Sequence, residues 1–229
     1  SGGVVTQLYV NALKKGFLCY GVRLNEEYKA EFVKIKEIKE LKQISNSKYV
    51  YSDMKKIYID IKENISKNKI LFVGMPCQVA ALKKFLNNKD ENLITIDIVC
   101  HGMCPSEFFT NHIKYIINKY KIEDIQKISF RTNNIFDITI FSNKNKIVLK
   151  EKIDPYLIGY HTGILYREAC YSCKFSKRER IGDITVCDYW NLNEYEKRNK
   201  KKGITGILIN TLNGKKFFYN NKNNIVFEK

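Results

Sequence analysis

Lys69-Ile70-Leu71-Phe72-Val73-Gly74-Met75-Pro76-Cys77-Gln78 is the stretch that decides the fold. Residues 69–74 form a short, nearly continuous apolar run, the composition of a strand buried on both faces. Pro76 then suits the first turn of a helix, where its missing N–H leaves nothing unpaired. That helix is predicted to run to Leu86. Leu93 to Val99 repeats the buried-strand pattern, and Pro105 opens another helix to about Tyr120. Strand, helix, strand, helix in this order predicts an α/β layer, a central sheet with flanking helices.

Upstream, Val4 to Lys15 reads as an amphipathic helix with Val5, Leu8, Tyr9, Ala12 and Leu13 on one face, and Gly16 as its C-cap. Leu18 to Leu24 and Ala30 to Ile35 read as strands, and Met54 to Asn64 as a helix. The character changes after residue 122. Ile125–Phe130, Ile135–Phe141 and Lys146–Lys152 are short strands joined by Asn-rich turns. Asp183–Tyr189 and Ile204–Asn210 are later strands, with a helix from Gly214. This divides the chain into an α/β part, 1–122, and a smaller β-rich, cysteine-bearing part, 123–229, with no long linker between them.

Three distant segments carry cysteines at turn-like positions: Gly74-Met75-Pro76-Cys77-Gln78, Cys100-His101-Gly102-Met103-Cys104 and Cys170-Tyr171-Ser172-Cys173-Lys174. A soft metal or iron–sulfur cluster takes about four thiolates from separate loops. A lone Cys-x-x-Cys also serves redox pairs and half zinc sites. Here Cys170 and Cys173 stand with two further cysteines, Cys77 and Cys100, each just after a hydrophobic strand. At the C-terminal edge of an open α/β sheet, where ligands bind, those two can approach one another. Cys77, in a first helical turn, gains from the helix dipole as a ligand or nucleophile; its bland reading is a buried small hydrophobe. Cys104 is a rival ligand. Cys19 and Cys187 read as core residues, with Cys187 in reserve. His101 reads as a hydrogen-bonding or structural residue. Lys174, Arg178 and Arg180 lie where positive charge would offset a thiolate-ligated cluster.

The chain has 229 residues, 44% of them hydrophobic, enough for a sizeable core. Seven cysteines, an odd number, argue against a pure disulfide framework. No signal-peptide pattern and no membrane-length apolar run appears, so a reducing cytoplasm is the expected setting. The net charge of +16 points to an anionic partner or to general surface charge. Nucleic acid is the weaker reading, because no nucleic-acid motif accompanies the charge. Ser1-Gly2-Gly3 ahead of a helix, and the Gly74-Met75-Pro76 turn, are candidate anion cradles. With three histidines and no Gly-x-Ser-x-Gly elbow, a hydrolase triad has little to stand on.

Together these segments resemble the family of coenzyme F420 hydrogenase and dehydrogenase beta subunits, which are flavin- and iron–sulfur-containing proteins. The resemblance runs nearly the whole length. It is carried by Ser1–Thr6, Ser47-Lys48-Tyr49, Val73–Leu82, Cys100-His101-Gly102, Phe130-Arg131, Cys170–Phe175, and Arg180-Ile181-Gly182-Asp183-Ile184-Thr185 with Asp188-Tyr189-Trp190. It implies FAD and one 4Fe–4S cluster, the cluster held by Cys77, Cys100, Cys170 and Cys173. It implies that Ser1, Gly2, Gly3 and Thr6, then Lys48 and Tyr49, then Gly74, Met75, Pro76 and Gln78 lie near the flavin, with Lys48 and Arg131 toward negative groups. The implied activity is that of an oxidoreductase. It passes hydride and electrons between a reduced two-electron carrier, coenzyme F420-like or other, and an iron–sulfur partner. Relatives often carry a ferredoxin-like module ahead of this region. Without an initial Met, the chain reads as a fragment lacking one. Cys104 and Cys187 depart from the usual family residues. The competing classes are a structural zinc or iron–sulfur module within a larger assembly, and an enzyme with a cysteine nucleophile.

Overall fold

The computed structural model describes residues 3–54, 56–87, 91–131, 136–189 and 204–227. The chain opens with α1 (Val4–Lys14), then the antiparallel pair β1 (Leu18–Leu24) and β2 (Ala30–Ile35). A turn of 3-10 helix leads into α2 (Leu41–Ile44), followed by α3 (Ile57–Asn64), β3 (Ile70–Gly74), α4 (Pro76–Phe85), β4 (Leu93–Ile98) and α5 (Ser106–Tyr120). Next come β5 (Ile125–Ser129), β6 (Ile138–Ser142), β7 (Lys146–Leu149), α6 (Pro155–His161) and α7 (Glu168–Tyr171). The chain then makes β8 (Ile184–Asp188), β9 (Thr205–Ile209) and α8 (Leu212–Asn221).

Six strands form one sheet in the order β2-β1-β3-β4-β8-β9. β1, β3, β4 and β8 are parallel neighbours, and β2 and β9 close the two edges antiparallel. β3 lies near the centre and is buried at every residue, as its unbroken apolar run requires. One face packs Leu71, Val73, Ile96 and Ile184 against Leu8 and Ala12 of α1 and Phe217 of α8. The other packs Phe72, Ile70 and Leu93 against Ile61 of α3 and Leu82 of α4. Phe72 is fully buried and stacks on Phe32 at 5.1 Å; burying such a side chain stabilises the fold by roughly 1.5–3 kcal/mol. A third core joins α5, the antiparallel sheet β5-β6-β7 and α6 through Phe109, Ile113, Phe130, Ile140 and Leu157.

α1 ends before Gly16, whose φ of 77° is the left-handed conformation that stops the helix. Three expectations need revision. The helix expected from Met54 starts at Ile57, because Asp53 is drawn into extended pairing with Ala30 and Glu31 of β2. The strand expected to reach Lys152 ends at Leu149, and the chain turns into α6, capped by the Asp154 carboxylate on the Leu157 N–H at 3.1 Å. The expected strand Ile135–Phe141 is described only from residue 136 and is extended over Ile138–Ser142; Ile135 lies outside the described residues. The change of character near residue 122 coincides with the start of the small sheet. The chain nevertheless returns to the large sheet with β8 and β9.

Candidate functional site

β3, β4 and β8 run parallel, so the turns after Gly74, Ile98 and Asp188 emerge at one edge of the sheet. Gly3, the N-cap of α1, lies beside Thr205, the register partner of Asp188; the N-terminus of α1 therefore opens at the same edge. Thr6 is half-buried one turn into that helix. Ser1 and Gly2 lie outside the described residues, as does Trp190 of the Asp-x-Trp element.

The edge collects Cys77, Cys100, Cys170 and Cys173. Cys77 occupies the second position of α4, and Cys100 follows the end of β4. Cys170 lies in α7, and Cys173 follows it in the same loop. All four are half-buried and none is in a disulfide. Burial pushes the Cys77 thiol up, and the fields of Cys173 and Cys170 push it further, while Arg167 opposes them. Burial pushes Cys100 up to about 11, with Cys77, Cys170 and Cys173 adding to the rise and the Gly102 N–H opposing it. The four sulfurs thus lie within each other's electrostatic reach. Cys100 Sγ also lies 4.0 Å from Met75 Sδ. Among the described residues, no three His, Cys, Asp or Glu side chains converge closely enough to chelate one metal ion. A set of four thiols from separate loops, near one another but not clenched on a single point, fits the donor chemistry of a cluster larger than an ion.

Cys104 is placed differently. It is wholly buried among Phe109, Ile113 and Tyr156 and hydrogen-bonds with the Tyr156 hydroxyl. Burial pushes its thiol up to about 11. Cys19 is fully buried, as expected of a core cysteine, whereas Cys187 is half-buried with Sγ 3.8 Å from the Gly206 carbonyl.

The turn Gly74-Met75-Pro76 is held from below. Gln78 Oε1 accepts from the Met75 N–H at 3.0 Å, and its Nε2 donates to Ser52 O and Oγ at 3.2 and 3.0 Å. Gln78 is therefore buried and fully engaged, and Pro76 is buried beside it. A Cβ on Gly74 would stand 2.8 Å from the Phe72 ring, so glycine there admits close packing of the strand end. Lys48 is spent on backbone: its ammonium donates to the carbonyls of Ile44, Ser45 and Asn46 at 2.9, 2.7 and 3.0 Å, at the end of α2. Burial, with Lys127 nearby, lowers its pKa to about 7. Tyr49 stacks on Tyr160 at 5.0 Å, and its carbonyl accepts from the Tyr156 hydroxyl at 2.6 Å. Arg131 pairs with Asp188 at 2.7 Å, lies 4.8 Å over the Phe136 ring, and buries an Nε that has no hydrogen-bond partner among the described residues. Such an orphaned donor at a sheet edge is what a bound acceptor group would satisfy.

Sequence reasoning missed the aromatic wall of Tyr160, Tyr166 and Phe136, because these residues come from loops and short helices without periodicity. Gly102 explains part of the Cys-His-Gly segment. Its φ is 136°, and a Cβ there would stand 2.2 Å from the Tyr166 ring. Tyr166 in turn hydrogen-bonds the ring of His101. The Arg180–Thr185 segment proves to be a seam inside the sheet. Asp183 accepts from the Thr95 N–H and hydroxyl at 2.9 and 2.7 Å and from the Thr211 hydroxyl at 2.7 Å. Fully buried Asp97 holds Arg180 at 3.1 Å and accepts from the Thr185 hydroxyl. A Cβ on Gly182 would stand 2.7 Å from the Asp97 nitrogen.

Residues 67–229 match the profile described as coenzyme F420 hydrogenase/dehydrogenase, beta subunit, carboxy terminus. The chain belongs to this family. Among curated proteins, the F(420)H(2) dehydrogenase of Methanosarcina mazei has an F-type subunit that is 22% identical over 194 residues, 83% of this chain. This family member spans 54% of that relative's length. The fold of the chain is shared with a protein from the xenon-derivatised F420-reducing NiFe hydrogenase complex of Methanosarcina barkeri. The TM-score is 0.64 at 14% identity, over 99% of this chain and 74% of the other. No helix among the described residues is long and apolar enough to cross a membrane.

Proposed function

We propose that the chain is a flavin- and iron–sulfur-dependent electron-transfer oxidoreductase. It would move reducing equivalents between a reduced two-electron carrier, coenzyme F420 or a related deazaflavin-like carrier, and an iron–sulfur partner. The observation that carries this reading is the gathering of Cys77, Cys100, Cys170 and Cys173 at the C-terminal edge of a parallel sheet. Family membership supports it, and the name of the M. mazei relative supports the choice of carrier.

In this reading the four thiolates hold a 4Fe–4S cluster, and Gly3, Thr6, Tyr49, the Gly74-Met75-Pro76 turn and Arg131 line the FAD site. When bound, the flavin accepts a hydride's two electrons and the cluster handles them singly. The polypeptide's share is placement and polarity. Cys77 sits where unpaired N–H groups and the dipole of α4 favour a thiolate, and Arg167, 3.6 Å over the Tyr51 ring, lowers its pKa. Arg131 is braced by Asp188, leaving Nε to meet an anionic or carbonyl oxygen. The free N–H groups of α1 beyond Gly3 suit a phosphate. Lys48, with its protons on three carbonyls, fixes the segment that presents Tyr49. Tyr49 and Tyr160 together keep water from that side.

Anaerobic reconstitution followed by iron, sulfide, zinc and released-flavin analysis tests the assignment. We expect about four irons and one FAD per chain, and Cys173→Ser should lose most of the iron. Zinc without flavin, with no iron uptake, would overturn the reading in favour of a structural zinc module. Full iron retention in Cys173→Ser would overturn the ligand set.

A further inference from the structure

The loop that carries Cys170 and Cys173 is strongly basic on its outer side and rigidly mounted from within. Lys174, Lys177 and Arg178 are all exposed. Among the described residues, no carboxylate lies within ion-pair distance of any of them, nor of Lys84 on the outer side of α4. Other lysines are neutralised locally, as Lys34 is by Asp60 and Lys39 by Glu37. The mounting is specific. Arg180 reaches inward to buried Asp97 at 3.1 Å and donates to the Lys177 carbonyl at 3.3 Å. Lys83 of α4 donates to the Ile181 carbonyl at 3.1 Å, tying that helix to the end of the loop beside an open hollow lined by Ala80, Lys84 and Asn87. On the other flank Tyr171 donates to the carbonyls of Gly163 and Ile164. Ile164 is 72% and Tyr171 62% exposed, which sets apolar surface beside unpaired cations.

Free cations around exposed apolar side chains, on a braced loop, are what a transient acidic partner reads: charge for steering, apolar contact for register. We propose that this face, with Lys84, Lys174, Lys177 and Arg178 around Ile164 and Tyr171, docks an acidic one-electron carrier protein of the small ferredoxin type. The inference rests on the proposed function only in naming the partner as a redox carrier. The surface is the short way in to the part-buried thiols of Cys170 and Cys173. Charge complementarity selects an acidic partner, and the apolar flank favours a protein over a nucleic acid backbone.

The test uses the reconstituted chain and a purified acidic bacterial ferredoxin as probe, with binding followed by calorimetry at about 50 mM and about 300 mM salt. A redox-inert protein of matching negative charge and a single-stranded DNA serve as competitors. Lys174→Gln/Lys177→Gln/Arg178→Gln is compared with Lys119→Gln/Lys144→Gln/Lys146→Gln, three exposed lysines on α5 and at the β6–β7 turn. We expect the first triple to weaken ferredoxin binding about tenfold or more and the second less than about twofold. Carbodiimide cross-linking of the unaltered chain should place the ferredoxin on Lys84, Lys174 or Lys177. No binding, equal weakening by both triples, cross-links confined to other lysines, or equally tight and equally sensitive binding of the inert protein or the DNA would each overturn the proposal. Iron and flavin are measured on the same samples. Normal cofactor content with no docking removes this inference alone, whereas docking without cofactor uptake removes the proposed function and leaves an acidic-protein surface.

Discussion

β4 and β8 are adjacent parallel strands with opposite habits at their two ends. Along their paired length and toward the start of β8, buried polar groups are matched within the chain: Asp183 with Thr95 and Thr211, Asp97 with Arg180 and Thr185. At their C-terminal end the buried groups are left wanting. The thiols of Cys77 and Cys100 are desolvated against one another, and Arg131 Nε has no partner among the described residues. A buried polar group without a partner costs on the order of 1–3 kcal/mol. The first region is where the fold stabilises itself. The second is where polar groups are kept for something that is not polypeptide.

The largest expected effect breaks the satisfied end. Asp97→Ala leaves Arg180 buried at one-tenth exposure without its carboxylate. We expect a loss of about 3–5 kcal/mol in urea unfolding, the cost of orphaning a buried charge. A loss below about 1 kcal/mol would mean that the seam is not what holds β8 to β4. Cysteine replacements then sharpen the contrast between the two regions. Cys104→Ser puts a hydroxyl into a wholly buried apolar site, so stability should fall by about 1–3 kcal/mol with iron uptake retained. Cys100→Ser, at a half-buried edge, should change stability by less than about 1 kcal/mol and abolish most iron uptake. The opposite pattern would exchange the roles of the two cysteines.

Lys48 gives the smallest and most pH-specific effect. Its pKa in the folded chain, lowered to about 7 by burial and then by Lys127, lies below the unfolded value. Between these limits the unfolded chain binds the extra proton, so stability rises with pH from about 7 toward about 9.5. Below about 7 both states carry the charge and the penalty is constant. The carbonyls of Ile44, Ser45 and Asn46 hold the ammonium against burial, so the gain should reach only about 1–2 kcal/mol. Lys48→Met should flatten that rise in unfolding measurements at stepped pH. A rise that persists unchanged in this variant would have to come from another group.

Much of the architecture is legible in the sequence because its signals are local. The runs at 70–74 and 93–98, Pro76 at a helix start and Gly16 at a helix end each act within a few residues. The cysteine segments are legible for the same reason, since a strand followed by a turn at the sheet edge places Cys77 and Cys100 by topology alone. α6 is not, because its start depends on Asp154, which follows a strand-like run and declares itself only when its carboxylate caps the helix. Nor is the use of Lys48, which in the sequence is simply a cation beside a Tyr.

By itself the sequence determined the order of strands and helices, the parallel centre of the sheet, and which cysteines stand at turns. Those follow from periodicity, burial and backbone chemistry over short spans. Only the tertiary structure decided that the segment around Asp183 returns to pair with β4, that Cys104 belongs to the core while Cys100 faces the edge, and that Lys48 closes on carbonyls. These outcomes rest on contacts between residues far apart in the chain, such as Thr95 with Asp183 and Asp97 with Arg180. No local pattern encodes them, because their free energy exists only once the long loops between them have closed.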